Sequence, residues 1–134
     1  VNFLNAISGI TKTIMLSDIN RLWAKFSGDT SLNSKLTKTP SKVYVFYRDF
    51  SSNYDKAKVT IGYEANLLSG KVDNIHLPEL EYNSLLPKKR YSNTQLYQAW
   101  QRIDYNMALQ TVVEVHHLSE SSDVIATEVY VAYK

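Results

Sequence analysis

The sequence predicts an α+β fold: a tandem βαββ repeat with pseudo-twofold symmetry, its curved antiparallel sheets and two helices arranged around a central cleft. Three observations carry this. Runs rich in β-branched and aromatic residues alternate with polar turns. Two stretches, one in each half, have helical apolar spacing. Leu22-Trp23-Ala24-Lys25-Phe26 is echoed by Ala99-Trp100-Gln101-Arg102-Ile103, and Thr60-Ile61-Gly62-Tyr63-Glu64-Ala65 by Thr127-Glu128-Val129-Tyr130-Val131-Ala132. Offsets of this kind, close to half the chain, are the mark of a duplicated unit.

Phe3 to Met15, rich in Ile and Thr, predicts one strand, or two short ones bent near Gly9. Ser17 is the expected N-cap of a helix whose Ile19, Leu22, Trp23 and Phe26 form one apolar stripe and which Gly28 stops. Asp29 to Ser41 is polar and predicts a surface connection. Val43 to Phe50 and Lys56 to Leu67 predict a hairpin closed by Ser51-Ser52-Asn53-Tyr54-Asp55. After the Ser69-Gly70 break come a strand near Leu80 to Arg90, a helix over about Ser92 to Tyr105, and strands Leu109 to Leu118 and Val124 to Tyr133 joined by a turn at Ser119 to Asp123.

With 134 residues, one domain is expected over 1–134, with repeat 1 at about 1–68 and repeat 2 at about 71–134. No apolar run approaches the length of a bilayer span, so a soluble, cytoplasmic protein with no membrane partner is expected. Cysteine is absent, which excludes disulfide scaffolds, thiolate metal sites and cysteine nucleophiles. A net charge of +2 is far from the basic stripe that neutralises many phosphates, so direct nucleic-acid binding is not expected. Ten Tyr among sixteen aromatic residues favour a half-polar aromatic cavity.

In their order and spacing, Ile10-Thr11-Lys12-Thr13, Leu22-Trp23-x-x-Phe26, Val43-Tyr44-Val45-Phe46-Tyr47, Val59 to Glu64, Ala99-Trp100, Val113-Glu114-Val115 and Glu128-Val129-Tyr130-Val131 resemble the gyrase-inhibitor-like, AraC-type effector-binding domains. The resemblance covers nearly the whole chain. It implies the tandem βαββ fold and the binding of bulky, hydrophobic, often cationic small molecules in a central cleft. It also implies a stand-alone member, because all of the sequence is taken up by the binding fold and none is left for a helix-turn-helix. Val113 stands where the family pattern has an aromatic residue, and His116-His117 where apolar or aromatic residues are common.

Glu114 is the sharpest candidate, a carboxylate interrupting the otherwise apolar run Leu109 to Val115. Left unpaired, it would have a raised pKa that an entering organic cation would restore. The resemblance implies the same part for it. Glu64 and Glu128, taken as counterparts in the two repeats, are expected to form a second acidic pair. Trp100, Trp23, Tyr47, Tyr63 and Tyr130 offer ring faces that attract cations. Tyr44 and Tyr47 have opposite parity on one strand, so only one of them belongs to the cavity face, and Tyr47 with Tyr63 is preferred. His116 and His117 are neighbours on a strand and cannot share a metal, and His76 stands apart; neither a metal nor a cofactor is expected. Lys88-Lys89-Arg90 reads as a solvated turn. No Gly-rich phosphate loop, H-E-x-x-H or G-x-S-x-G occurs.

The function expected is therefore sequestration or sensing of a hydrophobic cation rather than catalysis. A hydrolase using Glu114 or Glu128 as general base is the alternative, and a module that binds a protein partner through a sheet edge is a third.

Overall fold

The computed structural model describes Phe3 and residues 6–134. Strand β1 (Ala6–Met15) leads through a 3-10 turn into helix α1 (Ile19–Ser27), and a single turn of helix, α2 (Thr30–Asn33), follows. The hairpin β2 (Lys42–Arg48) and β3 (Lys56–Glu64) completes the first half. Then come the two-residue β4 (Ile75–His76), β5 (Asn83–Lys89), helix α3 (Asn93–Gln101), β6 (Leu109–Leu118) and β7 (Val124–Tyr133). All seven strands form one antiparallel sheet in the order β4-β1-β3-β2-β6-β7-β5.

The expected α+β class and the main strands and helices are present. The expected first strand runs through Gly9 without a break, and residues 4 and 5 lie outside the described part. The polar connection contains α2, because the Asp29 carboxylate caps it by accepting the Leu32 N–H at 2.9 Å. The strand expected to reach Leu67 ends at Glu64 in a 3-10 turn. The second helix stops at Gln101 rather than Tyr105, where Asp104 accepts the Asn106 N–H at 3.1 Å and so draws the chain into a local turn. Gly28 ends α1 with φ −89°, so its role as the stop does not use the left-handed region.

Alternation along the strands gives the sheet two different faces. Both long helices pack on one face: Leu22 and Phe26 of α1 and Ala99 of α3 meet Val43, Val45, Tyr47, Val59, Ile61, Val112, Val129 and Val131. The other face carries Tyr44, Phe46, Val113 and Val115 and is covered by Phe3, Ile75, Leu77, Tyr82 and Tyr130. The two helices are held unequally. Helix α3 begins with a complete capping box, in which the Ser92 Oγ accepts the Gln95 N–H and the Gln95 side chain accepts the Ser92 N–H, yet it fully buries only Ala99. No described helix is long and apolar enough to cross a membrane.

Candidate functional site

The centre of the helix-covered face is where β2 meets β6, with Val45 opposite Glu114. Because Tyr47 is two residues from Val45 and His116 two from Glu114, both share the face of Glu114. Helix α3 brings Trp100 over them. Glu114 Oε1 accepts the Tyr47 hydroxyl at 3.1 Å and faces His116 Nε2 at 3.2 Å, while Oε2 accepts the Trp100 indole N–H at 3.0 Å. His116 Nδ1 meets the Thr127 hydroxyl at 3.2 Å. The rings lock edge to face, Tyr47 on Trp100 at 4.8 Å and Trp23 on His116 at 5.2 Å between centroids. Glu114 is 6% exposed.

Two expectations are corrected here. Glu114 is not unpaired, since three side chains converge on its carboxylate. Its pKa is not raised: burial pushes it up, but hydrogen bonding to His116, the His116 charge, and the bonds from Trp100 and Tyr47 together outweigh burial and hold it below the usual carboxylate range. Burial raises the Tyr47 phenol as well, and the shared bond, which lowers the carboxylate, adds to that rise together with the Glu114 charge, so the phenol stands well above its ordinary value.

This yields a sign for acid stability. Since the folded value lies below the unfolded one, Glu114 contributes stability above the unfolded value of the glutamic acid range, about pH 4 to 5, and the contribution is lost as pH falls through the folded value. Unfolding free energy measured by urea titration across the acid range should fall with pH in the native protein and fall less steeply in Glu114→Gln. Equal slopes would show that the carboxylate is not held in its charged form.

Tyr47 and Trp100 also line a cavity of about 370 Å³ between the turn that leads into α1 and helix α3. Tyr54, Tyr97 and Tyr105 supply three more rings and Leu16 and Leu96 the aliphatic wall, and among the described residues no charged side chain lines it. Tyr105 donates to the Trp100 carbonyl at 2.9 Å and packs on Tyr54 at 5.2 Å. Tyr97, 67% exposed, stands at the mouth. A groove of about 490 Å³ beside α1 has the opposite character, being lined by Lys12, Arg21, Lys25 and Lys56 with Asp18.

The expected site residues therefore divide. Glu114, Tyr47, Trp100 and Trp23 come together, Trp23 through His116. Tyr63 shares their face but donates to Asn33 Oδ1 at 2.6 Å and packs on Phe26, so it does not reach Glu114. Glu64, Glu128 and Tyr130 lie on the other face, because strand alternation sets them opposite Glu114. There, Tyr44 donates to Glu64 at 3.2 Å and Tyr130 to Glu128 at 2.6 Å, and His117 pairs with Glu128 at 2.5 Å. Burial, with the Glu128 bond and charge, pushes the Tyr130 phenol up to about 12. Glu64 and Glu128 thus attend Tyr44 and its surroundings, not the Glu114 centre. His116 and His117 diverge to opposite faces, as parity requires.

Tyr54, Tyr97 and Tyr105 were not singled out from the sequence, and His116 was weighed there only as a metal ligand and a departure from the family pattern. For His116 the signal was available: residues two apart on a strand share a face, so a histidine at that distance from a buried carboxylate is its natural neighbour. The three tyrosines come from a hairpin loop, a helix and a turn, and no common period links them.

Comparison with protein-family models found no matching model, and comparison with curated proteins found no match.

Proposed function

We propose that this chain is an effector-binding domain of the tandem βαββ kind, which captures a bulky hydrophobic cation between aromatic faces and the Glu114 carboxylate. The sheet order supports the repeat. Outward from the β2–β6 pair, one half runs β2, β3, β1 and the other β6, β7, β5, with one long helix in the chain between β1 and β2 and the other between β5 and β6. The observation that carries the binding reading is that two of the five rings walling an uncharged cavity, Tyr47 and Trp100, donate directly to a buried carboxylate.

The chemistry follows from that arrangement. A cation resting on the rings gains about 0.5 to 2 kcal/mol from each well-placed aromatic face, and the negative charge behind them is little screened because water is excluded. Direct contact with Oε2 requires the Trp100 N–H to give way. Helix α3, with one fully buried residue, is the wall with least to lose by moving. The absence of any lining charge lets large apolar substituents share the cavity with the cationic centre.

A carboxylate held below its ordinary pKa is a weak base, so Glu114 lends little to the hydrolase alternative. At one end of the sheet the edge strand β5 carries Pro87, Lys88 and Lys89, which makes it a poor template for a partner strand.

Tetraphenylphosphonium, a lipophilic cation of fixed charge, is the direct probe. It is expected to saturate the protein with a Kd of roughly micromolar order and to perturb tryptophan fluorescence, with the signal reduced in Trp100→Phe. The absence of saturable binding up to about 1 mM would overturn the reading.

A further inference from the structure

The carboxylate centre already contains a basic group: His116 Nε2 faces Glu114 Oε1 at 3.2 Å, on the same oxygen that accepts Tyr47. An ionised carboxylate only accepts, so Nε2 carries the hydrogen. Nδ1 faces the hydroxyl of Thr127, which both donates and accepts. If the ring is neutral, the hydroxyl donates to Nδ1; if the ring is charged, Nδ1–H donates to the hydroxyl. Both charge states therefore leave the centre fully bonded, which a carbonyl in place of the Thr127 hydroxyl, being an acceptor only, would not allow. Among the described residues, no buried side-chain nitrogen or oxygen lacks a partner.

The surroundings bias neither state by another full charge. Glu114 lies on the same strand, Tyr47 comes from β2, and Tyr63 from β3 is turned to Asn33. Helix α1 contributes Trp23, α3 contributes Trp100 and β7 contributes Thr127, none of which is charged.

We propose that His116 is the specificity residue of this site, a resident counter-cation that must become neutral before a cationic guest gains the Glu114 charge. This rests on the binding reading above. The exchange balances: the charged His116 loses its Nδ1 proton to solvent, the Thr127 hydroxyl turns to donate in its place, and the guest becomes the positive partner of Glu114. With His116 charged, the centre is neutral overall and favours uncharged guests. With it neutral, the centre is negative and favours cations. Because the group that carries the exchange is an imidazole, which can stand in either charge state, guest choice is coupled to proton uptake.

The test measures affinity of the full chain for tetraphenylphosphonium and for uncharged triphenylphosphine oxide at about pH 5.5 and 7.5. The cation should bind about tenfold or more tightly at the higher pH, while the neutral probe is unaffected. His116→Gln, whose amide donates to Glu114 and accepts from Thr127, should keep the high-pH affinity at both pH values. Thr127→Val removes the acceptor for Nδ1–H, so it should shift the dependence to lower pH, and it serves where the glutamine variant does not fold. Saturable cation binding that is equal at both pH values, or a dependence that survives in His116→Gln, overturns the role of His116 and leaves the binding reading standing. Failure of both probes to bind at either pH overturns the binding reading and this one with it.

Discussion

Glu114→Gln is expected to weaken tetraphenylphosphonium by about 2 to 4 kcal/mol, roughly thirtyfold to a thousandfold, while leaving the fold intact. The size follows from removing a full negative charge at a water-excluded centre. Survival of the fold follows from the partners. The amide oxygen can accept the Trp100 N–H, which only donates, and the amide nitrogen then faces Tyr47 and His116. The tyrosine hydroxyl turns to accept, and His116 moves its proton to Nδ1, where Thr127 accepts it. Triphenylphosphine oxide should bind the variant about as well as the native protein. Isothermal titration with both probes checks this: an equal loss for the neutral probe would assign Glu114 to holding the cavity's shape, and no loss for the cation would remove it from the site. Glu114→Ala is the less informative change, since it orphans the Trp100 and Tyr47 donors and opens a void.

The second large effect is on stability and lies away from the site. Gly9 of β1 sits opposite Gly62 of β3, and the two backbones approach so closely that a Cβ on Gly9 would lie 1.9 Å from the Ile61 carbonyl oxygen. The obstruction on Gly62 is reciprocal, 2.6 Å from the Ser8 carbonyl oxygen. The blocking atoms are backbone in a paired strand, so the sheet must separate locally instead of a side chain swinging aside. Gly9→Ala should therefore cost roughly 3 kcal/mol or more, in the upper tail of single substitutions. Urea denaturation measures it, and a loss below about 0.5 kcal/mol would show that β1 and β3 can part without penalty. Per folded molecule, cation affinity should be unchanged.

Much of the fold was legible because its signals are local. The stripe Leu22, Trp23, Phe26 gave α1, and the turn Ser51 to Asp55 between two alternating runs gave the β2–β3 hairpin. Residues 30–33 form a helical turn that no apolar period announces, since its polar Thr, Ser and Asn are held by a cap. The two residues of β4 pair with β1 and are too few to show a pattern.

The site was half legible for a related reason. Parity separated Tyr47 from Tyr44, because strand geometry alone decides which face a residue takes, and the apolar run Leu109 to Val115 marked Glu114 as buried. Which residues meet across that face depends on β2 lying beside β6, a pairing that puts Tyr47 and Glu114, 67 positions apart, within hydrogen-bond reach. The same unknown misplaced Glu64, Glu128 and Tyr130 in one cleft with Glu114. It also left the carboxylate's three partners unseen, and with them the direction of its pKa.

The sequence by itself determined the order of elements, the burial of a carboxylate in β6 and the face on which each strand residue sits, since these follow from periods of two and 3.6 along the chain. The tertiary structure alone decided that Tyr47, Trp100 and His116 converge on Glu114 and that five rings line one cavity, two of them being the Tyr47 and Trp100 that touch the carboxylate. Those contacts join segments distant in the chain, and long-range strand order and helix placement are set by the packing of the whole core, which no local period encodes.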